Sequence, residues 1–146
     1  MSYWDTSALV KLDSREADSA AFEHFVLTAL PVVTTSRIAL YEARATFQRK
    51  EAEGIIFAGT AQKLYTEMLQ DIGAGEVRLV ELSAETEHEY GQVLSLCYQH
   101  NPPILVRTLD ALHLASARVA TQTVVVATDK RMRDAAKLLG FSLFPV

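Results

Sequence analysis

The chain has 146 residues, 49% of them hydrophobic and 22% charged, with a formal net charge of −4. This is the size and make-up of one globular domain with room for a real core, and it excludes a disordered chain. No apolar run approaches the ~18 residues of a membrane helix, and an acidic chain does not grip nucleic acid by bulk charge. A polyanion would have to be met by a local basic patch or a metal. Cys97 is the only cysteine, so no internal disulfide is possible. The opening stretch MSYWDTSALVKLD has no basic n-region and no apolar h-region, so no secretory signal is expected and a cytoplasmic setting is.

The elements alternate along the chain. A short strand, 2-SYW-4, runs into Asp5. A helical stretch follows, with Phe22, Phe25, Val26 and Ala29 at i, i+3, i+4, i+7. The segment 31-PVVTT-35 reads as a strand, and Ser36 as the N-cap of a helix reaching about Gly54. Ala61, Leu64, Tyr65, Met68, Leu69 and Ile72 share one face of a helix ending at Gly73. Alternation in 76-EVRLVEL-82 predicts a half-buried strand. Tyr90, Val93, Leu94 and Cys97 mark a helix stopped by 101-NPP-103. The acids of 85-ETEHE-89 suit the start of that helix. Next come a helix over 107-RTLDALHLASA-117, a β-branched run 123-TVVVAT-128, a short helix to Gly140 and a closing 141-FSLFPV-146. Strands separated by helices predict an α/β domain with a mainly parallel sheet. The apolar run VVVAT suits a central strand covered on both sides. Ligands of such sheets bind at the carboxyl ends of the strands.

Four acids stand where apolar residues are expected. The strands 2-SYWD-5 and 123-TVVVATD-129 each end in aspartate. Asp110 interrupts the largely apolar run 107–117, and of the residues that follow it only Arg118 clearly marks a solvent side. In 36-SRIALYEARATF-47, Glu42 falls between Ile38 and Ala39 on a helical wheel, so partial burial is expected. An unpaired buried carboxylate costs several kcal/mol or takes up a proton. If the four meet, a divalent cation resolves their repulsion. Mg²⁺ or Mn²⁺ prefers oxygen ligands, and Mg²⁺ usually takes one or two direct carboxylates while other acids hold its waters. Such a site binds phosphate and acidifies water, and it can bring a polyanion to an acidic protein. Each acid also has a purely structural reading. Asp5 and Asp129 are good N-cap residues, Asp110 answers a helix dipole, and Glu42 has basic neighbours such as Arg49.

The segments 3-YWDTSALVKL-12, 40-LYEA-43, 107-RTLDALHLASA-117 and 124-VVVATDKRM-132 resemble, in order and spacing, the PIN-domain nucleases. Within them the likeness is to the VapC-type toxins of prokaryotic toxin–antitoxin pairs. The resemblance spans the chain from end to end and implies a single PIN-like nuclease domain over residues 1–146. The implied fold is a three-layer α/β/α sandwich around a five-stranded, mainly parallel sheet. The implied activity is an Mg²⁺- or Mn²⁺-dependent endoribonuclease that leaves 3′-hydroxyl and 5′-phosphate ends on single-stranded or loop RNA. Asp5, Glu42, Asp110 and Asp129 correspond to the family's catalytic, metal-binding acids, Asp5 and Asp110 first among them. Ser7 and Thr128 are supporting hydroxyls, and Thr6 is expected to begin the helix after the first strand. Arg107 is a candidate phosphate contact or a surface ion pair. The resemblance further implies a homodimer and a cognate antitoxin.

Among the remaining residues, His113 is read as a packed, hydrogen-bonded helix residue, because no second His or Cys has zinc-like spacing. His24, His88 and His100 are expected at the surface, and Cys97 in the core. Lys130, Arg131, Arg133 and Lys137 concentrate base just after Asp129, either to hold an RNA backbone or as an ordinary solvated face. Neither a Walker loop nor a G-x-G-x-x-G follows a strand, which removes the commonest nucleotide sites. Two rival readings are a non-catalytic PIN-like module binding RNA or protein, and a phosphoacceptor of the response-regulator kind. Glu42 and the D-A-L-H-L-A motif favour the nuclease over the latter.

Overall fold

The computed structural model describes residues 1–29 and 32–146. Five strands form one sheet: β1 (Ser2–Trp4), β2 (Val33–Ser36), β3 (Val77–Val80), β4 (Val124–Val126) and β5 (Ser142–Phe144). Their order is β3-β2-β1-β4-β5, and every pairing is parallel. The described helices are α1 (Thr6–Asp13), α2 (Ser19–Ala29), α3 (Arg37–Ala52), α4 (Thr60–Gly73), α5 (Ala84–Gln99), α6 (Thr108–Val119) and α7 (Lys130–Leu138). Pro31, the first residue of the expected strand 31–35, lies outside the described residues, as does the side chain of Ala29. The observed strand starts at Val33 and ends on Ser36, whose hydroxyl caps α3 through the Ile38 amide at 3.2 Å.

The pleat sorts neighbouring residues onto opposite faces. Trp4, Val126 and Phe144 point into a core shared with α1 to α4, where Trp4 meets Phe22 edge-on and Phe25 stacks on Phe144 at 4.2 Å. Tyr3, Val125 and Leu143 point into a second core with α5, α6 and α7, which also buries Cys97 and Met132. Both faces of the sheet are thus covered, the α/β/α arrangement that suits all-parallel strands.

Two local findings differ from the sequence reading. The stretch between Asp5 and β2 makes two helices. Lys11, almost fully buried, holds the turn between them by pairing with Asp18 at 2.7 Å and Glu16 at 3.4 Å. The helix around Asp110 is not apolar on all sides toward a core: Leu109 is 44% exposed, and Thr108 also faces solvent. Other terminations follow ordinary chemistry. A Ser83–Thr86 capping box starts α5. Gly140, at φ +89°, ends α7 with paired bonds from Gly140 N–H to the Lys137 carbonyl and from Phe141 N–H to the Ala136 carbonyl.

The strand order decides where a site can form. From β1 the chain winds outward to β2 and β3, then returns to place β4 on the other side of β1. The crevice between β1 and β4, at their carboxyl ends, is the topological switch point of the sheet. Asp5 follows β1 there, and Asp129 stands three residues past the end of β4.

Candidate active site

Asp5 is fixed from three directions. Its backbone N–H donates to the Val126 carbonyl at 3.1 Å, extending the sheet by one step. Its Oδ1 accepts the Ala8 amide at 2.9 Å, capping α1. The Ser7 hydroxyl lies 2.9 and 3.0 Å from its two carboxylate oxygens. Burial pushes its carboxyl up to about 6; the Ala8 amide, His113 and Ser7 oppose that rise, and the charge of Asp110 adds to it.

Glu42 enters from α3 on one face of the sheet and His113 from α6 on the other, and they meet above the carboxyl edge. His113 Nε2 donates to Glu42 Oε1 at 2.6 Å, and the Thr6 hydroxyl donates to the same oxygen at 2.7 Å. The other ring nitrogen, Nδ1, is 2.6 Å from the Tyr3 hydroxyl, in a fully buried contact. Burial alone would raise the Glu42 carboxyl, but the His113 and Thr6 bonds and the charges of His113 and Arg107 hold it below the usual range. The structural reading of Glu42, pairing with a basic neighbour such as Arg49, is not what is observed: its partners are His113 and Thr6.

Asp110 lies in the first turn of α6, its side chain 14% exposed. It owes that partial burial to the crevice and not to the core. Arg107 at the N-terminus of this helix donates to it at 3.1 Å and reaches within 3.7 Å of Asp129. Asp129 caps α7 through the Met132 amide at 3.0 Å. Thr128 lies 3.1 Å from the Ser7 hydroxyl and so joins the loops after β1 and β4.

The four acids, with Thr6, Ser7, Arg107 and His113, line one cavity of about 130 Å³. An adjoining cleft of about 340 Å³ is lined by Glu42, Arg107, Thr108, Leu109 and Asp110. The capping reading and the convergence of Asp5 and Asp129 are therefore both true. A carboxylate at a helix N-terminus can spend one oxygen on an amide and turn the other outward. Lys130 and Arg131 do not line this cavity; they border a separate groove beside it. Arg133 points elsewhere, donating to the carbonyls of Ala127 and Pro145.

Among the described residues, no three His, Cys, Asp or Glu side chains form a ready-made metal cage. The donor set nevertheless suits a hard cation. It offers carboxylate and hydroxyl oxygens without thiols, and the guanidinium of Arg107 already stands as a cation between Asp110 and Asp129. Among the described residues, no helix is long and apolar enough to cross a membrane.

His113 is the packed, hydrogen-bonded helix residue expected, and Thr6 begins α1 as expected; the part both play in holding Glu42, and the contact of His113 with Tyr3, were not read from the sequence. The available signal was spacing. A residue three beyond Asp110 shares its face of the helix, so an imidazole there points toward the same crevice.

The PIN domain family model matches residues 2–138. The ribonuclease VapC46 of Mycobacterium tuberculosis is 32% identical over 143 residues, covering 97% of this chain and 94% of its own. The solved structure of VapC20 from Mycobacterium tuberculosis, described as a Sarcin–Ricin loop cleaving toxin, superposes with a TM-score of 0.67 at 18% identity, covering 92% of this chain and 95% of that one. A toxin–antitoxin complex from Klebsiella pneumoniae contains a chain with a TM-score of 0.57 at 17% identity, covering 88% of this chain and 87% of that one. With a family match over nearly its whole length and a VapC relative of this identity, the chain belongs to the PIN-domain family, among its VapC-type members.

Proposed function

We propose that the chain is a metal-dependent endoribonuclease, the toxin of a toxin–antitoxin pair, with residues 1–146 acting as one nuclease domain. One observation carries this reading: four carboxylates from four separate segments share one small cavity at the switch point of the sheet. The VapC46 relative, by its name a ribonuclease, supports the reaction class.

In this reading Asp5, Glu42, Asp110 and Asp129 are the catalytic acids and would hold Mg²⁺ or Mn²⁺, directly or through waters. A divalent cation bound there supplies Lewis acidity toward a phosphate oxygen and makes a water acidic enough to attack. The chain's own residues do the positioning. Ser7 aligns the Asp5 carboxylate and, with Thr128, presents hydroxyls at the rim. His113 and Thr6 immobilise Glu42 in its charged form. Arg107 is 62% exposed and loosely paired; an ion pair this open to solvent is weak. The guanidinium is therefore free to swing from Asp110 to a substrate phosphate, a contact in which it forms bidentate bonds. Lys130 and Arg131 extend the cationic border along the RNA backbone. A cognate antitoxin, a homodimer and a cytoplasmic setting complete the proposal.

The test is cleavage of a panel of single-stranded and structured RNAs with Mg²⁺, Mn²⁺ or EDTA. We expect wild-type cleavage only with metal, and losses of at least about 100-fold in Asp5→Asn and Asp110→Asn. Full metal-dependent cleavage by either variant would sink the proposal. RNA binding unaffected by EDTA, without any cleavage, would identify a non-catalytic module.

A further inference from the structure

Beside the acid site lies a wider groove of about 560 Å³, the volume of a ligand-sized cleft. One wall is the segment after α5, residues 102–105, and the other is α7. Its lining is partly apolar: Ile104 packs on the core, while Leu105 is 59% and Leu138 37% exposed. Its rim is cationic, with Lys130, Arg131 and Lys137 against the single acid Asp134. That acid is paired to Lys130 at 2.7 Å. Among the described residues, Arg131 and Lys137 have no ion-pair partner. The wall is held in place before anything binds. Ile104 N–H donates to the Cys97 carbonyl at 2.9 Å, and the Tyr98 hydroxyl to the Val106 carbonyl at 2.8 Å.

A partly apolar lining with a cationic rim, on a chain of net charge −4, calls for a partner that is flat and apolar in one part and anionic in another. Single-stranded nucleic acid has that construction: bases pack on aromatic or apolar side chains while Lys and Arg follow the backbone. The groove also adjoins the acid cavity through the chain itself. Lys130 directly follows Asp129, and Leu105 precedes Arg107 by two residues. A strand with its scissile phosphate at the acids can therefore run on past Lys130 toward this groove.

We propose that the groove is a base-binding subsite for single-stranded RNA. It takes a nucleobase flanking the scissile phosphate on Leu105 and Leu138, and the adjoining phosphates on Arg131 and Lys137. The proposal rests on the ribonuclease reading and goes beyond it by assigning a base-binding surface to the groove whose border carries Lys130 and Arg131. Apolar stacking accepts every base, so the subsite supplies affinity and direction, not sequence choice.

The test measures binding of a fluorescent single-stranded oligoribonucleotide by anisotropy. It uses the Asp110→Asn background in EDTA, so that the strand stays intact. We expect Leu105→Ala with Leu138→Ala to weaken binding about tenfold with an unchanged salt slope. Lys137→Ala should weaken it and lower the salt slope by about one. An oligonucleotide lacking the flanking base should bind the parent as weakly as the intact strand binds the double-leucine variant. Unchanged affinity in all groove variants, with the parent binding normally, overturns the subsite and leaves the nuclease reading standing. Unchanged RNA affinity together with loss of a dimer on size exclusion assigns the groove to a second copy and also overturns it. Failure of wild type and parent to bind or cleave any RNA removes the nuclease reading itself, and the subsite with it.

Discussion

The buried run Tyr3–His113–Glu42 links the middle strand of the sheet to the acid cavity in two contacts of 2.6 Å. A buried polar group that loses its partner costs about 1–3 kcal/mol. Tyr3→Phe should therefore lower stability by about that amount in urea titration, because Nδ1 loses its partner. His113→Ala leaves a cavity as well, so about 3 kcal/mol is expected. It should also depress RNA cleavage, because Glu42 then keeps only Thr6. Undiminished cleavage by His113→Ala would show that Glu42 needs no such support. A second residue-scale effect lies away from the site. Burial, with the charges of Asp71 and Glu67, pushes the Asp13 carboxyl up to about 7 from its ordinary 3.8. The folded chain then holds a proton that the unfolded chain releases between about pH 4 and 7. Stability from this group falls as pH rises through that window, and the full penalty is present above it. Asp13→Asn should raise the unfolding free energy from urea titration at pH 8, by about 1 kcal/mol after allowance for solvent screening, and leave it nearly unchanged at pH 4. An equal gain at both pH values would reject the assignment. Asp5, raised to about 6, acts in the same direction and keeps part of the slope in the variant.

At the scale of elements, two helices begin on an acid that is also a candidate ligand. Asp129 caps α7 through Met132, as Asp5 caps α1 through Ala8. Asn is as good an N-cap as Asp, whereas Ala costs about 1 kcal/mol. Asp129→Asn should thus melt close to wild type and cleave RNA poorly, while Asp129→Ala loses both. Equal melting of the two variants would show that the cap contributes nothing. The helices themselves were largely legible in the sequence, because apolar residues at helical spacing mark the buried stripe wherever one face meets a core. The stripe of Leu64 and Met68 in α4 and that of Val93 and Cys97 in α5 lie buried as expected. The break between α1 and α2 was not legible. It depends on Lys11 folding back onto Glu16 and Asp18, a contact without periodicity.

At the scale of the molecule, the order β3-β2-β1-β4-β5 is what makes a site out of distant residues. Asp5 and Asp129 are 124 positions apart in the chain and become neighbours because β1 and β4 pair. Glu42 and Asp110 arrive from helices on opposite faces of that sheet. The same arrangement gathers base beside the acids. Lys130, Arg131 and Lys137 share one groove, while Arg133 is spent on the carbonyls of Ala127 and Pro145. A run of four basic residues in sequence thus divides into a cationic rim and a clamp on the chain's end.

Sequence by itself determined the element types, the parallel sheet and which acids were out of place, because these follow from local rules. Period two or 3.6, capping chemistry and the cost of a carboxylate among apolar neighbours act within a few residues of one another. Tertiary structure alone decided that the four acids border one cavity and that Glu42 is held by His113 and Thr6 in place of Arg49. It also decided that a partly apolar groove opens beside the acids. Those facts depend on crossovers and layer packing, which bring together side chains whose separation along the chain carries no signal of their distance in space.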